Sequence, residues 1–294
     1  MAYHDPTMTN NLTICHGGLM TTYRLLALDM DGTLLDSQKR VSPNTQQAVE
    51  RLAKQGVAIA FATGRNALEL GFYSDNLPFI RFGVLSTGSV LYDFAKKVTL
   101  DTAPFPVEAV TAAVGATLDE DGLPFLSCVD KTYARQCDID RLADYDMGGY
   151  QMGYEQICIR IDDSLTWIAT HPDQVTKLDL FYRSQASMQK ARAAIIASGA
   201  GVELADCEQG RALEGTAAGV TKGTGLCSLA KHLGIPMNEV VAVGDDGNDL
   251  SMLRVVGMPV AMENACSEVR ATARYITADN DHDGVAQVIE KLFF

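Results

Sequence analysis

The chain has 294 residues, of which 47% are hydrophobic and 21% are charged, and its formal net charge is −13. This length suits two modest domains or one large one with a proper core. The acidic balance disfavours nucleic acid and anionic membranes as partners, and no apolar run is long enough to span a membrane. Seven scattered cysteines without a C-x-x-C pair indicate reduced thiols, so we expect a cytoplasmic protein. We also expect it to be a monomer or a weak homo-oligomer.

The first 20 residues are polar and irregular. They lack the basic start and the apolar centre of a signal peptide. We therefore predict a disordered extension over 1–20, with the folded protein beginning near residue 21.

The stretch LLALDMDGTLLD follows that extension. Leu25–Leu28 predicts a short buried strand that ends at Asp29, and Asp31 comes two residues later. Gly32 permits a sharp turn, and Thr33 can hydrogen-bond within it. Two carboxylates at the carboxyl end of a strand suit a ligand site in an open α/β sheet, and their mutual repulsion indicates a bound cation.

Helices and strands alternate over the next 50 residues. Ser42 and Pro43 are typical of a helix start and Gly56 of a helix end. The predicted elements are a helix over 43–55, a buried strand over 57–62 that ends at Thr63-Gly64-Arg65, a helix from about residue 66 and a buried strand near 83–85. This order predicts a parallel sheet with right-handed crossovers.

The pattern changes from Val90 to about Glu208. β-like runs begin at residues 123, 131, 156 and 177, and helical stretches cover 107–118 and 185–197. We therefore predict an α+β cap inserted into an α/β core. The predicted division is core over 21–87, cap over 88–208 and core again over 209–294.

The final part returns to α/β alternation. A predicted helix runs from Lys222 to Gly234, and the glycine-rich GVTKGTG around its start does not have the spacing of a P-loop. Val240–Gly244 predicts a buried strand that runs directly into DDGND, Asp245 to Asp249. The remaining predicted elements are a short strand from 258, a helix over 267–273, a strand over 275–277 and a helix from 284.

Four of these stretches together resemble the motifs of the haloacid dehalogenase superfamily, in the expected order. They are DMDGT from Asp29, TGR from Thr63, Lys222, and GDDGND from Gly244. The chain is most similar to the Cof-type, YidA-like sugar-phosphate phosphatases with a C2 cap. The resemblance implies a Rossmann-like parallel-sheet core with an inserted α+β cap. It also implies a Mg²⁺-dependent phosphatase that acts on small phosphorylated metabolites through an aspartyl phosphate.

The resemblance also assigns roles to individual residues. Asp29 would be the nucleophile, and Asp31 would be the general acid and then the general base. The catalytic set it implies is Asp29, Asp31, Thr63 and Lys222. The phosphate-binding set is Met30, Thr63, Gly64, Lys222 and Asn248. The Mg²⁺ ligands would be Asp29, Asp31 through its backbone carbonyl, and Asp245, with Asp249 steadying them.

Two other functions stay open on the sequence. A phosphosugar mutase of related fold would return the phosphoryl group to substrate instead of water. A non-catalytic phosphometabolite-binding protein would have kept the fold alone, although the presence of every motif residue disfavours it. Release of inorganic phosphate without an activating bisphosphate distinguishes the phosphatase from the mutase.

One formal motif is rejected from its context. Asp279, Asp281, Asp283, Gly284 and Glu290 have the spacing of an EF-hand calcium loop. An EF-hand needs a helix that enters the loop, and the preceding residues predict a strand.

Two positions depart from the Cof-like pattern. Thr87 stands where the family usually has asparagine, and Glu263 stands where it often has glycine. We expect Thr87 to influence substrate preference more than Glu263, because Thr87 precedes the cap.

Overall fold

The computed structural model describes residues 23–207 and 211–294, so the extension predicted over 1–20 lies outside the described residues. The strands are β1 Leu25–Leu28, β2 Ala58–Ala62, β3 Phe82–Leu85, β4 Val90–Asp93, β5 Val98–Thr102, β6 Leu123–Ser127, β7 Thr132–Arg135, β8 Cys158–Ile161, β9 Lys177–Phe181, β10 Val202–Cys207, β11 Ala212–Ala217, β12 Val240–Gly244, β13 Met258–Ala261 and β14 Tyr275–Ile276.

The helices alternate with these strands, and none of those in the described ranges combines the length and apolarity needed to cross a bilayer. They are α1 Pro43–Lys54, α2 Gly71–Asn76, α3 Val107–Asp119, α4 Gln136–Asp140, α5 Gly148–Ile157, α6 Ser164–Thr170, α7 Gln185–Ala197, α8 Lys222–Leu233, α9 Leu250–Leu253, α10 Ser267–Thr272 and α11 Gly284–Phe293.

The larger sheet has eight strands in the order β14-β13-β12-β1-β2-β3-β4-β5. The strands from β14 to β3 are parallel, whereas β4 and β5 are antiparallel to their neighbours. Every residue of β1 is buried, because this central strand is covered on both faces. The predicted α/β class with a Rossmann-like parallel core is therefore confirmed.

The smaller sheet has six strands in the order β10-β11-β9-β6-β7-β8 and is antiparallel except between β7 and β8. Helices α3, α6 and α7 pack together over one face around an apolar cluster that includes Phe105, Leu178 and Met188. A second apolar cluster, with Phe125 and Phe181, joins the sheet to the α4–α5 segment. This is the inserted α+β cap that the sequence predicts.

The two cap boundaries differ from the predicted 88 and 208. The β4–β5 hairpin extends the larger sheet, so residues 90–102 belong to the core sheet. At the other end, β11 pairs with both β10 and β9, so the cap sheet includes residues 212–217. The sequence analysis predicted no strands over 90–102 or 212–217, and the sheet that each of them joins depends on long-range pairing.

Local signals predict α1 well but fail for α2. The Ser42 side chain accepts a hydrogen bond from Thr45 N, and Gly56 has a φ of +85° just beyond the helix. The helix predicted from about residue 66 begins instead at Gly71. The Asn66 side-chain oxygen accepts hydrogen bonds from Leu68 N and Glu69 N, which stabilises a turn in place of the first helical turn. Helices α4, α5 and α6 were not predicted either, and α5 extends over Gln156 and Ile157, where a strand was expected to start.

Candidate active site

The motif residues meet at one edge of the core sheet. In the register of the parallel strands, Leu28 lies beside both Phe61 and Val243. Asp29, Thr63 and Asp245 follow these strands directly, so their side chains are brought to the same edge. This is the carboxyl edge at which open α/β sheets bind ligands.

Lys222 reaches the same edge from the first turn of α8. A reciprocal pair of hydrogen bonds between Thr221 and Thr224 caps the helix. The Lys222 side chain is completely buried, and its Nζ lies 2.6 Å from Asp29 Oδ1, 2.7 Å from Asp249 Oδ1 and 3.3 Å from Asn248 Oδ1. Burial acts to lower the pKa of Lys222, but the Asp249 and Asp29 carboxylates outweigh it and raise that pKa, so the lysine is charged.

Three carboxylates converge around this lysine. One oxygen from each of Asp29, Asp245 and Asp249 lies within 4.8 Å of the others. Burial, followed by the nearby Asp249 carboxylate, raises the pKa of Asp29 well above its usual range and that of Asp245 to about 7. Three carboxylates against one lysine leave an excess of negative charge, which a divalent cation would neutralise. The donor set is all oxygen, as Mg²⁺ prefers.

The turn after β1 is shaped to fit the Asp245 carboxylate. Gly32 has a φ of +85°, and a Cβ at this position would collide with Asp245. Thr33 Oγ1 donates to Asp245 Oδ1 at 2.8 Å, and Asn264 Nδ2 donates to Gly32 O at 2.8 Å. Asn264 follows Glu263 in the stretch compared with the family pattern, but its contact with this turn was not predicted.

Asp249 holds the last motif in place. Its Oδ2 accepts hydrogen bonds from Asp245 N at 2.9 Å and Asp246 N at 3.2 Å, while its Oδ1 accepts from Lys222. Both oxygens are therefore committed to protein donors. This arrangement fits the supporting position expected for Asp249 rather than that of a direct ligand.

The Asp31 carboxylate is not part of this group and is bound by Arg65 and Lys39. Arg65 Nε lies 3.0 Å from Asp31 Oδ2, Arg65 Nη2 lies 2.9 Å from each oxygen, and Lys39 Nζ lies 2.6 Å from Oδ1. Burial acts to raise the pKa of Asp31, but Arg65 and Lys39 overcome it and hold that pKa below its usual range. The sequence left the role of Arg65 open and did not single out Lys39.

Thr63, Gly64 and Met30 supply the backbone around the carboxylates. Thr63 is buried, and its Oγ1 accepts from Arg65 N at 3.2 Å. A Cβ at Gly64 would collide with Glu214, so this carboxylate lies directly against the Gly64 backbone. Met30 is fully buried, and its carbonyl accepts from Leu35 N at 2.9 Å, which closes the turn after β1.

A cavity of about 360 Å³ separates this edge from the cap. At its base lie Asp29, Asp31, Thr63, Gly64 and Asn248. Four further charged lining residues form what we call the roof cluster: Glu69, Lys177, Asp179 and Glu214. The cavity wall also includes aromatic and aliphatic residues of the cap: Tyr150, Tyr154, Ile157, Phe181 and Leu213.

Ion pairs join three members of the roof cluster, and the fourth, Glu69, accepts hydrogen bonds from Asn66 N and Thr132 Oγ1. Lys177 Nζ lies 2.5 Å from Asp179 Oδ1 and 3.5 Å from Glu214 Oε1, and these three side chains are 5%, 12% and 13% exposed. Burial raises the pKa of Asp179 to about 6, although Lys177 lies beside it. The sequence analysis missed the cluster, whose one signal is charged residues at alternate positions of the apolar run KLDLF.

We compared the chain with known protein families and structures. The profile of the haloacid dehalogenase-like hydrolases matches residues 26–289. The chain belongs to this family. It is a Cof-type phosphatase, a phosphoric monoester hydrolase, and the resemblance noted in the sequence is confirmed.

Three similar proteins illustrate the match over nearly the whole chain. The pyridoxal phosphate phosphatase YbhA of Escherichia coli is 29% identical over 92% of this chain and 98% of its own length. The 5-amino-6-(5-phospho-D-ribitylamino)uracil phosphatase YwtE of Bacillus subtilis is 26% identical over the same shares. A haloacid dehalogenase-like hydrolase from Bacteroides thetaiotaomicron has the same fold, with a TM-score of 0.77 and 27% identity over 92% of this chain and 100% of the other.

The acidic residues of the calcium-like pattern do not converge. Asp279 accepts from Asp281 N and contacts His282, whereas Asp281 accepts from Ser37 and Asp283 from Ser42. Within 23–207 and 211–294, the carboxylates grouped closely enough for a metal ion are instead those of the active-site edge.

Of the two departures from the family pattern, Thr87 alone contacts the cavity residues. Thr87 Oγ1 donates to Glu214 Oε2 at 2.8 Å. Glu263 is exposed and does not line the cavity.

Proposed function

We propose that this chain is a Mg²⁺-dependent phosphatase that hydrolyses small phosphorylated metabolites, sugar phosphates in particular, through an aspartyl phosphate on Asp29. The observation that carries the proposal is the buried ion-pair centre at the base of the cavity. There one lysine bridges Asp29 and Asp249, and Asp245 lies beside them. A nucleophile, its neutralising cation and a place for a metal thus meet where a small ester can enter.

Asp29 carries the first step. Its free carboxylate oxygen attacks phosphorus, a new O–P bond forms, and the P–O bond to the leaving group breaks. The departing oxygen takes a proton from Asp31 and leaves as an alcohol, so Asp31 must be protonated when substrate is bound, against the lowered pKa that Arg65 and Lys39 give it in the free protein. Lys222 offsets charge on the transferred group, because its ammonium lies 2.6 Å from Asp29 Oδ1.

Asp31 carries the second step. It is then a carboxylate and accepts a proton from the water that attacks phosphorus, so an O–P bond to water forms as the Asp29–phosphorus bond breaks. The Arg65 guanidinium favours this ionised form and fixes the orientation of the carboxylate. Arg65 therefore acts as a positioning residue for Asp31.

The phosphate would be held by the groups around Asp29. These are the backbone of Met30 and Gly64, the hydroxyl of Thr63, the Lys222 ammonium and the Asn248 amide. Gly64 has no Cβ, and the Glu214 carboxylate lies against its backbone in that space, so a phosphate at Gly64 would lie beside Glu214.

The metal would be held by Asp29, the Asp31 backbone carbonyl and Asp245. Thr33 and Asp249 orient this set, through the hydrogen bonds to Asp245 Oδ1 and Asp245 N. When bound, Mg²⁺ would polarise the phosphate and neutralise part of the carboxylate charge.

The size of the cavity and the relatives support a small substrate. A cavity of about 360 Å³ has the dimensions of a metabolite site. The similar phosphatases are named for small phosphorylated compounds.

A phosphate-release screen over phosphorylated metabolites tests the proposal. With Mg²⁺ present, we expect inorganic phosphate from several sugar phosphates and no need for an activating bisphosphate. A requirement for a bisphosphate, with isomerised product, would indicate the mutase. Binding without turnover of any ester would indicate a non-catalytic protein.

A further inference from the structure

Resting on the proposed function, we infer that the roof cluster selects the leaving group of the substrate. It favours esters whose leaving group donates hydrogen bonds, such as polyols and amino alcohols. It rejects esters that carry a second anionic group, such as bisphosphates and phosphorylated acids.

The roof cluster has an excess of negative charge. It contains three carboxylates, Glu69, Asp179 and Glu214, and a single ammonium group, that of Lys177. Lys177 lies within 3.5 Å of two of these carboxylates, so its charge is already neutralised. A second phosphate or a carboxylate on the leaving group would therefore meet net repulsion in a largely buried site.

The remaining cation in the described lining of the cavity is already engaged elsewhere. Among the described residues that line the cavity, the second positive side chain is Arg65. Its guanidinium is bound to both oxygens of Asp31 at the base. Redirecting Arg65 to the substrate would release Asp31 from the contact that orients it.

The hydrogen-bonding character of the roof agrees with its charge. Ionised carboxylates only accept hydrogen bonds. Asp179 Oδ2 has one long contact, 3.4 Å from Ser127 Oγ, so it has capacity for a donor from the substrate. Hydroxyl and ammonium groups supply such donors, and the adjacent Tyr154 and Phe181 can pack against the carbon skeleton.

Glu214 connects the roof to the phosphate end of the cavity. Its carboxylate lies against Gly64, accepts from Thr87 Oγ1 at 2.8 Å and lies 3.5 Å from Asn248 Nδ2. A leaving group attached to a phosphate at Gly64 and Asn248 must therefore pass this carboxylate. A charge on the leaving group would therefore be repelled by Glu214, close to the reacting bond, as well as by Asp179.

A matched pair of substrates tests the inference. Glucitol 6-phosphate and 6-phosphogluconate share one carbon chain and differ at its far end, which is a hydroxymethyl group in one and a carboxylate in the other. We expect kcat/KM near neutral pH to favour the polyol by roughly tenfold or more. Asp179→Asn should lower that preference by about threefold or more, because it removes one roof charge.

The control is Asp206→Asn, which changes an exposed carboxylate of the same cap sheet that pairs with Arg192 outside the cavity. It should leave the preference unchanged. Glu69→Gln is a second roof variant, in case Asp179→Asn does not fold. Equal kcat/KM for the two esters in the wild type, or a preference that both roof variants leave intact, would overturn the inference.

Two further measurements separate this inference from the proposed function. Hydrolysis of p-nitrophenyl phosphate, which lacks both end groups, tests the phosphatase alone. Calorimetric binding of the matched esters to Asp29→Asn tests the roof alone. Tighter binding of the polyol without any turnover by the wild type would contradict the proposed function and support the roof. Turnover by the wild type, with equal affinities of Asp29→Asn for the two esters, would support the proposed function and contradict the role of the roof.

Discussion

The base and the roof of the cavity are both buried networks of one lysine with several carboxylates, yet they are built differently. At the base, Lys222, Asp29 and Asp245 follow strands or open a helix, and each stands in a short local motif. At the roof, Lys177, Asp179 and the distant Glu214 lie within strands. We assign bond making to the base and leaving-group choice to the roof. In this protein the catalytic residues lie in short local motifs, whereas the residues of the roof cluster are brought together by strand pairing.

The sharpest way to break this division is Asp29→Asn. We expect kcat on any ester to fall by roughly a thousandfold or more, because the attacking carboxylate is lost. The melting temperature should not fall, since burial and neighbouring carboxylates raise the pKa of Asp29 and its charge is costly. Steady-state phosphate release and thermal unfolding measure the two effects.

The matched control for this variant is Asp101→Asn, an exposed carboxylate on β5 of the same core sheet. Its activity should match the wild type. Activity of Asp29→Asn within about tenfold of wild type would remove Asp29 from the mechanism.

Metal removal tests whether the carboxylates at the base of the cavity bind a catalytic cation. EDTA should stop hydrolysis and added Mg²⁺ should restore it, because the carboxylates exceed the charge of Lys222. Asp245→Ala should lower activity by about a hundredfold at a fixed low Mg²⁺ concentration. Full activity in chelator would indicate a different class of phosphatase.

The same cluster predicts how Mg²⁺ dependence varies with pH. Burial and Asp249 raise the pKa of Asp245 to about 7, so protons compete with the metal as pH falls through that value. The Mg²⁺ concentration for half-maximal activity should be about tenfold higher at about pH 6 than at about pH 8. Circular dichroism at both pH values serves as the control for folding. An unchanged half-maximal concentration would show that Asp245 does not exchange a proton for metal.

The smallest expected effect concerns the link between base and roof. Thr87→Asn removes the hydroxyl that donates to Glu214, at a position with a φ of +56° that asparagine tolerates. We expect the kcat/KM ratio of glucitol 6-phosphate to p-nitrophenyl phosphate to change by about threefold. Glu263→Gly should change it by less than about twofold, because Glu263 is outside the cavity. An unchanged ratio for Thr87→Asn would leave Thr87 with a purely structural role.

The base could be predicted from sequence because its residues stand in four short stretches that resemble the motifs of the family, in the expected order. A buried strand that ends in a carboxylate, as at Asp29 and Asp245, defines both the element and the edge it reaches. The alternation of strands and helices also predicts the parallel sheet of the core, but not its strand order. Local information was also enough for the caps of α1 and α8.

The roof could not be predicted because it depends on long-range pairing. Glu214 lines the cavity on β11, which lies between β10 and β9, whereas the sequence analysis placed residues 212–217 in the core and predicted no strand there. Helix α5, which brings Tyr154 to the wall, contains three glycines in GGYQMGYEQI and has a weak helical signal. The salt bridge of Arg65 to Asp31 joins two motifs that spacing alone does not orient.

The proposed aspartyl phosphate on Asp29 is tested most directly by locating the phosphoryl group during turnover. Wild type and Asp31→Asn would be mixed with p-nitrophenyl phosphate and Mg²⁺, quenched in acid and analysed by peptide mass spectrometry. We expect a phosphorylated peptide with the modification on Asp29. It should be more abundant in Asp31→Asn, because the hydrolytic step loses its base. Nitrophenol release from both proteins with no phosphoryl group on Asp29, or with the group on another residue, would contradict it.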